Sequence, residues 1–279
     1  MFEQASVFIF GSLVGSFLNV CIHRMPLNES IVTPRSHCPQ CKKLIPWFYN
    51  IPLVSFWWLR CRCAYCKARI SPRYFLVELL TALVFLFLFR RYGMSFDFFA
   101  YALFLSGLIV ATFVDIQHRI IPDEISVGGV IAGLLLAVAR AFLAGKDITG
   151  GFVFAWPVFI DSLAGAIVGG GIIFCAGFFF DLVYFKLLKK PAVEGETESM
   201  GGGDVKLLAM IGAFLGWQNA LLTFFIAPFL GLVIGLFNLL VKKQHLIPYG
   251  PFLSLAAVIA MLWGPRILEL LFWRQAAVF

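Results

Sequence analysis

The chain has 279 residues, of which 61% are hydrophobic, 32 are Phe and only 13% are charged, and its mean hydropathy is +0.92. Soluble domains are about half apolar and about a quarter charged, so a water-soluble globular fold is excluded and the apolar excess must face lipid. The formal charge of +7 does not point to nucleic acid, because an integral membrane protein uses its basic residues first to fix orientation.

A membrane-spanning helix needs about 20 mainly apolar residues. That length picks out runs near 4–22, 74–90, 96–114, 124–144, 154–185, 205–216, 218–240 and 250–272. The expected fold is all-α, a polytopic membrane helix bundle of about eight transmembrane helices with a small cytoplasmic loop domain. The sixth run is short: residues 205–240 read as two spans broken around Gly216-Trp217-Gln218-Asn219, or as one long span preceded by a re-entrant piece. The first 22 residues contain neither Lys nor Arg, unlike a secretory signal peptide, so the first apolar segment is expected to be retained.

Lys and Arg near helix ends accumulate on the cytoplasmic side. The segment 23–73 holds nine of them, from Arg24 to Arg73, and is expected to be cytoplasmic. With eight spans the segments around Arg119, Lys186 to Lys206 and Lys242-Lys243 fall on the same side, and both termini on the other. Three parts result: a first transmembrane helix over 1–22, a cytoplasmic loop over 23–73 and a membrane core over 74–279. No internal repeat is evident, and residues 191–199 read as a polar Glu-rich loop.

Five of the seven cysteines lie in the loop. In a reducing compartment paired cysteines hold metal more often than they form disulfides. Cys38 with Cys41 and Cys63 with Cys66 form two Cys-x-x-Cys knuckles, 21 residues apart, which can supply four thiolates to a tetrahedral zinc. Four thiolates close the shell, so such a zinc is structural. Cys61 and His37 stand beside the knuckles and can replace a ligand in another register. Unmetallated thiols or a redox pair are the plainer alternative, while Cys21 and Cys175 lie in apolar runs and read as small buried residues.

Ionisable groups in membrane helices cost several kcal/mol, which makes each a candidate for function. Asp115 ends the third run in ATFVDIQHRIIPDE, and Asp204 opens the sixth in SMGGGDVKLLA. On the expected topology both belong at the cytoplasmic membrane surface, where two carboxylates can divide general-base and general-acid work. Gly201, Gly202 and Gly203 would let a substrate strand approach the backbone. The plainer reading makes Asp204 a helix cap and the glycines a linker. Asp123, after Pro122, reads as an N-cap for the fourth span, and Glu78, Asp161 and Asp181 need polar partners that the sequence does not name.

The stretches GSFLNVCIHRMP, PRSHCPQC, NIPLVSFWWLR, ISPRYFLVELLTAL, VDIQHRIIPDE, GGGDVKLLA and PYGPFLSLAA, with the second cysteine pair, cover nearly the whole chain. In this order they resemble the type IV prepilin peptidases, or leader peptidase/N-methyltransferases, a family of GxGD membrane aspartic proteases. The resemblance implies that Asp115 and Asp204 are catalytic, that Gly201 and Gly203 are the motif glycines, and that Cys38, Cys41, Cys63 and Cys66 bind zinc. Where relatives commonly read Leu-Arg-Gly-Arg-Cys this chain has Cys61, whose role stays open. It further implies that type IV prepilins or type II secretion pseudopilins are cut after a glycine at the cytoplasmic face of a bacterial inner membrane, among its lipids, and that the new amine is methylated from S-adenosylmethionine. Segment 23–73 would then be methyltransferase-associated and 74–279 the aspartic protease core. Methylation rests on the resemblance alone, since no glycine-rich fingerprint and no segment long enough for an ordinary methyltransferase domain is present. A membrane scaffold, or a transporter carrying ions or protons on the intramembrane acids, is the alternative.

Overall fold

A computed structural model describes residues 2–144, 155–183, 201–242 and 248–272. The Glu-rich stretch 191–199, most of the Lys186 to Lys206 segment and Lys243 lie outside the described residues. The chain divides into two units, Met1–His118 and Arg119–Phe279. Among the described residues every regular element is helical apart from isolated bridges in the loop, as the sequence led one to expect.

The first unit holds α1 (Phe2–Arg24), a short α2 (Val54–Trp58), α3 (Pro72–Tyr92) and α4 (Phe96–His118). Three of these are long and apolar enough to cross a membrane. Their outer faces carry exposed Phe10, Leu13, Phe17, Phe87 and Leu103, while Ile22, Val77, Leu88, Phe98 and Phe104 are buried between them. Helix α1 lies against α3 through Gly11 and Gly15: a Cβ on Gly11 would stand 2.8 Å from Phe85 Cβ, and one on Gly15 2.7 Å from Glu78 Cα. Small residues at i and i+4 let two backbones approach, which is what holds helices together where lipid tails are as apolar as Leu.

Three polar bonds, made by Asn19 and Glu78, tie the loop and α3 into this unit. Asn19 on α1 donates to the Tyr74 carbonyl at 2.9 Å. Glu78 accepts from the backbone N–H of Leu53 at 2.8 Å and from the Ser16 hydroxyl. Leu53 has φ +63°, a conformation unfavourable for a bulky side chain, and its bond to Glu78 fixes the entry to α2. Glu78 thus has the partners that its place in an apolar run demanded.

The second unit comprises α5 (Asp123–Ala144), α6 (Trp156–Asp181), α7 (Gly202–Leu215), α8 (Trp217–Lys242) and α9 (Gly250–Phe272). Helices α5, α6 and α9 are long and apolar enough to span, and Trp217–Val233 of α8 is a shorter apolar stretch. With 14 residues α7 is about 21 Å long, short of the ~30 Å hydrocarbon core. The choice left open over 205–240 resolves into two helices broken at Gly216, whose φ is +81°. A Cβ there would collide with the Asp161 carboxylate, which accepts from the N–H of Trp217 and so satisfies one of the free donors at the start of α8.

Helices α6 and α7 are the closest pair of this unit. A Cβ on Gly165 would land on the Gly212 carbonyl, one on Gly212 on the Gly165 carbonyl, and one on Gly169 on the Leu208 carbonyl. Beside this seam the Ser162 hydroxyl donates to the Ala213 carbonyl at 2.6 Å. Backbone cannot swing aside as a side chain can, so Gly165→Ala should cost about 1–3 kcal/mol or more through overpacking. Gly171→Ala, on the same helix but with nothing within 4 Å of its Cβ position, should not. Thermal unfolding of the two purified variants checks this, and equal melting temperatures would refute the seam.

Candidate functional site

In the loop the two knuckles repeat one another. The N–H of Cys38 donates to Lys43 O and that of Lys42 back to Cys38 O; in the second knuckle Cys63 donates to Ala68 O and Lys67 back to Cys63 O. Lys42 and Lys67 both have φ +59°, closing each turn so that its two sulfurs point the same way. Each knuckle is flanked by an isolated antiparallel bridge, His37 with Leu44 and Arg62 with Arg69, and by a further bond, from Ile45 N to Ser36 O and from Ile70 N to Cys61 O, both 2.8 Å.

The ligand atoms of Cys38, Cys41, Cys63 and Cys66 all lie within 4.8 Å of one another, with the sulfurs of Cys38 and Cys66 3.8 Å apart. A tetrahedral zinc with bonds of about 2.3 Å needs sulfurs roughly 3.8 Å apart, so these residues fit such an ion. The Cys66 amide, more than any other group, holds the Cys63 thiol down to about 7, whereas for Cys66 the Ala68 amide is outweighed by desolvation and the neighbouring sulfurs, which push its thiol up to about 11; a metal would have to displace that proton. Cys61 and His37 do not join this group. The repeat explains why: Cys61 occupies the place that Ser36 has in the first knuckle and contributes its carbonyl to the frame.

Elsewhere in the first unit, Asp115 lies in the final turns of α4 and is 6% exposed, followed by exposed Ile116, Gln117 and His118. Arg73, near the start of α3, donates to Gln117. The start of α3 and the end of α4 therefore meet, and Asp115 sits at the end of the unit from which the loop emerges.

In the second unit Asp204 is the third residue of α7. Gly201 occupies the N-cap position with φ −67° and ψ 137°, and the N–H of Asp204 donates to the Gly201 carbonyl at 3.0 Å. The carboxylate leans back over the helix start, since a Cβ on Gly201 would lie 3.7 Å from its Oδ2. Negative charge is favoured there by the helix dipole. Gly202 and Gly203 are helical and serve as the first turn of α7 instead of a linker. Lys206 pairs with Asp123 at 2.7 Å, which joins the starts of α5 and α7. Helix α5 begins at Asp123 itself, with Pro122 O taking the first bonds from Ile125 and Ser126, so Asp123 acts as an ion-pair partner and not as the expected cap.

The third component of this end is Tyr249, just before α9. Its hydroxyl is buried without a hydrogen-bond partner among the described residues. Burial first, and then the charge of Asp204, push it up to about 12, so it stays a protonated donor at neutral pH. Tyr249 stands within PYGPFLSLAA, yet nothing in the sequence marks a role for it or foresees the Lys206–Asp123 pair. Neither contact has a periodic signature, and each depends on which helix starts the bundle brings together.

These parts define a class: a polytopic membrane helix protein with a four-cysteine cluster in its loop and an aspartate near a helix end in each of two units. Residues 9–92 match the Bacterial Peptidase A24 N-terminal domain and residues 102–236 the Type IV leader peptidase family. A prepilin leader peptidase/N-methyltransferase of Myxococcus xanthus is 40% identical over 234 residues, covering 84% of this chain and 62% of that one. The chain thus spans less than two thirds of that relative's length. Proteins of the same description from Aeromonas hydrophila and Pseudomonas aeruginosa are each 34% identical, over 94% and 93% of this chain and 91% and 90% of theirs. No solved structure matches. The chain belongs to the type IV leader peptidase family.

The glycines before Asp204 differ in their surroundings. A Cβ on Gly203 would stand 3.1 Å from Ile121 Cβ, whereas one on Gly202 meets nothing within 4 Å. Gly202→Ala should leave stability within about 1 kcal/mol of the parent or raise it, as Ala is the better helix former. Gly203→Ala should lose about 1–3 kcal/mol by pressing on Ile121. Unfolding of the two variants in detergent is the check, and a Gly203→Ala protein as stable as Gly202→Ala would show that Ile121 yields freely.

Proposed function

We propose that this protein is a prepilin leader peptidase and N-methyltransferase. It cuts the basic leader from type IV prepilins or related pseudopilins at the cytoplasmic face of a bacterial inner membrane. The observation that carries the reading is the match of both halves of the chain to one family, with 34% identity to relatives of that description over nine tenths of their length. The scaffold and transporter alternatives draw no support from the relatives' names.

Asp115 and Asp204 would form the catalytic dyad. One carboxylate, ionised, takes a proton from water as its oxygen attacks the carbonyl of the substrate glycine. The other, protonated, polarises that carbonyl and gives its proton to the departing amine. The titration would belong to the pair and not to either residue. Gly201, Gly202 and Gly203 would leave the approach to Asp204 without side chains for an extended strand. Asp115→Asn and Asp204→Asn should each cut cleavage of a precursor by at least ~1,000-fold while folding persists, on the scale of losing one member of a catalytic unit. Near-normal cleavage by either variant, read from the precursor's N-terminal mass, would exclude the dyad.

Cys38, Cys41, Cys63 and Cys66 would hold one structural zinc, its shell closed by four thiolates and without a place for water or substrate. A loop this small has no core of its own and needs such a staple. Elemental analysis should find about one zinc per chain, and far less in Cys38→Ser; unchanged content in that variant would rule out the assignment. Segment 23–73 would serve methyl transfer and 74–279 the peptidase. S-adenosylmethionine would supply the methyl group to the newly exposed amine, which attacks the methyl carbon, loses a proton and releases S-adenosylhomocysteine.

A further inference from the structure

One cavity of the first unit belongs neither to the aspartates nor to the cysteine cluster. It is about 260 Å³ in volume and lies against the last turns of α1, lined among others by Val20, Arg24, Ile31, Arg35, Trp47 and Asn50. Both charged residues of the lining are arginines, and no carboxylate contributes to it. Arg24 is 5% exposed, and its guanidinium donates to the carbonyls of Ser30 at 2.9 Å and Pro34 at 2.8 Å. These acceptors are neutral, and among the described residues no ion pair offsets the charge. Glu29 is the sole acid between residues 4 and 77, against nine Lys and Arg in the segment 23–73, and it is exposed and outside the lining. A buried cation whose charge is not neutralised favours an anion beside it, and guanidinium groups suit the oxygens of a phosphate.

The rest of the lining selects among anions. Val20, Ile31, Val32 and Ile45 make one side apolar, and beside them Trp47 is 73% exposed. The stretch Phe2–Leu27 is long and apolar enough to cross a membrane. Val20 and Arg24 lie in the last turns of its α-helix, so the cavity stands at the level where hydrocarbon gives way to headgroups. Trp is enriched at that level, and basic pockets there take the headgroups of anionic lipids. A small soluble anion gains nothing from four aliphatic side chains and an indole. A phospholipid offers its phosphate to the arginines and its glycerol esters and first acyl carbons to the apolar side. The volume falls below the ~300–1,000 Å³ that encloses a whole ligand, which is enough for a headgroup whose chains stay in the bilayer.

We propose that this cavity binds the phosphate headgroup of an anionic phospholipid, held by Arg24 and Arg35, with Trp47 against the first carbons of the lipid. The wall through Ser36 and Ile45 is also the frame of the first cysteine knuckle, joined by the Ile45 N to Ser36 O bond of 2.8 Å. A lipid seated there fastens the loop to the bilayer surface at a point of its own, in addition to the bond from Leu53 to Glu78. The inference stands apart from the peptidase and methyl-transfer readings.

The test measures binding of labelled phosphatidylglycerol to the full-length protein in an uncharged detergent, with phosphatidylcholine and glycerol 3-phosphate as competitors. Phosphatidylglycerol should bind saturably, and an excess of either competitor should displace little of it. Arg35→Gln and Trp47→Ala should each weaken binding by roughly tenfold, the effect of losing one charged or interfacial partner. Arg69→Gln removes an exposed charge of the same loop that lies outside the cavity and should leave binding at the parental level. Both lining side chains are exposed, so melting temperatures near the parent's are expected, and if one variant does not fold the other carries the test. Parental affinity in the folded lining variants would overturn the proposal. So would an equal loss in Arg69→Gln, which marks a general surface charge, or displacement by phosphatidylcholine, which marks a site indifferent to net charge. Displacement by glycerol 3-phosphate as effective as by unlabelled phosphatidylglycerol would show a site for soluble phosphates and end the lipid assignment.

Discussion

Hydrocarbon offers no water to drive apolar faces together, so helices in a bilayer stay paired only where their surfaces fit closely or a polar bond crosses between them. Both units of this chain meet that requirement with glycine. Gly11 and Gly15 set α1 against α3, and Gly165, Gly169 and Gly212 set α6 against α7 with carbonyls where a side chain would begin. The many exposed Phe, Leu and Ile side chains take no part in this pairing. They are the solvent-facing side of a protein whose solvent is lipid.

Outside the bilayer the constraint reverses. The loop between α1 and α3 has few buried side chains, Cys38 and Ser55 among them, and cannot assemble a core. Its order comes from backbone bonds repeated in two knuckles and from two ties to the bundle: Glu78 to Leu53 N, and Arg24 to the carbonyls of Ser30 and Pro34. Four cysteine sulfurs gathered within one metal's reach complete this arrangement. The loop is small because it depends on partners at both ends instead of on its own interior.

Most of the architecture could be read before any coordinates because lipid imposes a length rule, and each apolar run of the sequence has a helix over it in the fold. The paired cysteines were equally legible, since metal ligation fixes a short spacing that chance rarely reproduces. What could not be read was the partner of each polar group. The break at Gly216 needed Asp161 beside it, the role of Cys61 needed the repeat of the Ser36 frame, and the place of Asp123 needed Lys206 from a distant helix. A helix with lipid on most sides shows little amphipathic periodicity, so its sequence does not say which face meets a neighbour.

The acids of the membrane segments differ in what their placement does for the fold. Glu78 and Asp161 each accept a backbone N–H at the start of another helix, Leu53 before α2 and Trp217 at α8. In both cases the carboxylate stands where the chain turns, and replacing it would leave a donor unsatisfied. Asp204 is placed differently: it rides on the first turn of its own helix, over Gly201, with a protonated Tyr249 within its field. Negative charge at a helix start is favoured by the helix dipole, and the buried Tyr249 hydroxyl has no hydrogen-bond partner among the described residues. Glu78 and Asp161 must each keep the bond to a helix start for the fold to persist. Asp204 rests instead on a helix start built from backbone, its own N–H bonded to the Gly201 carbonyl.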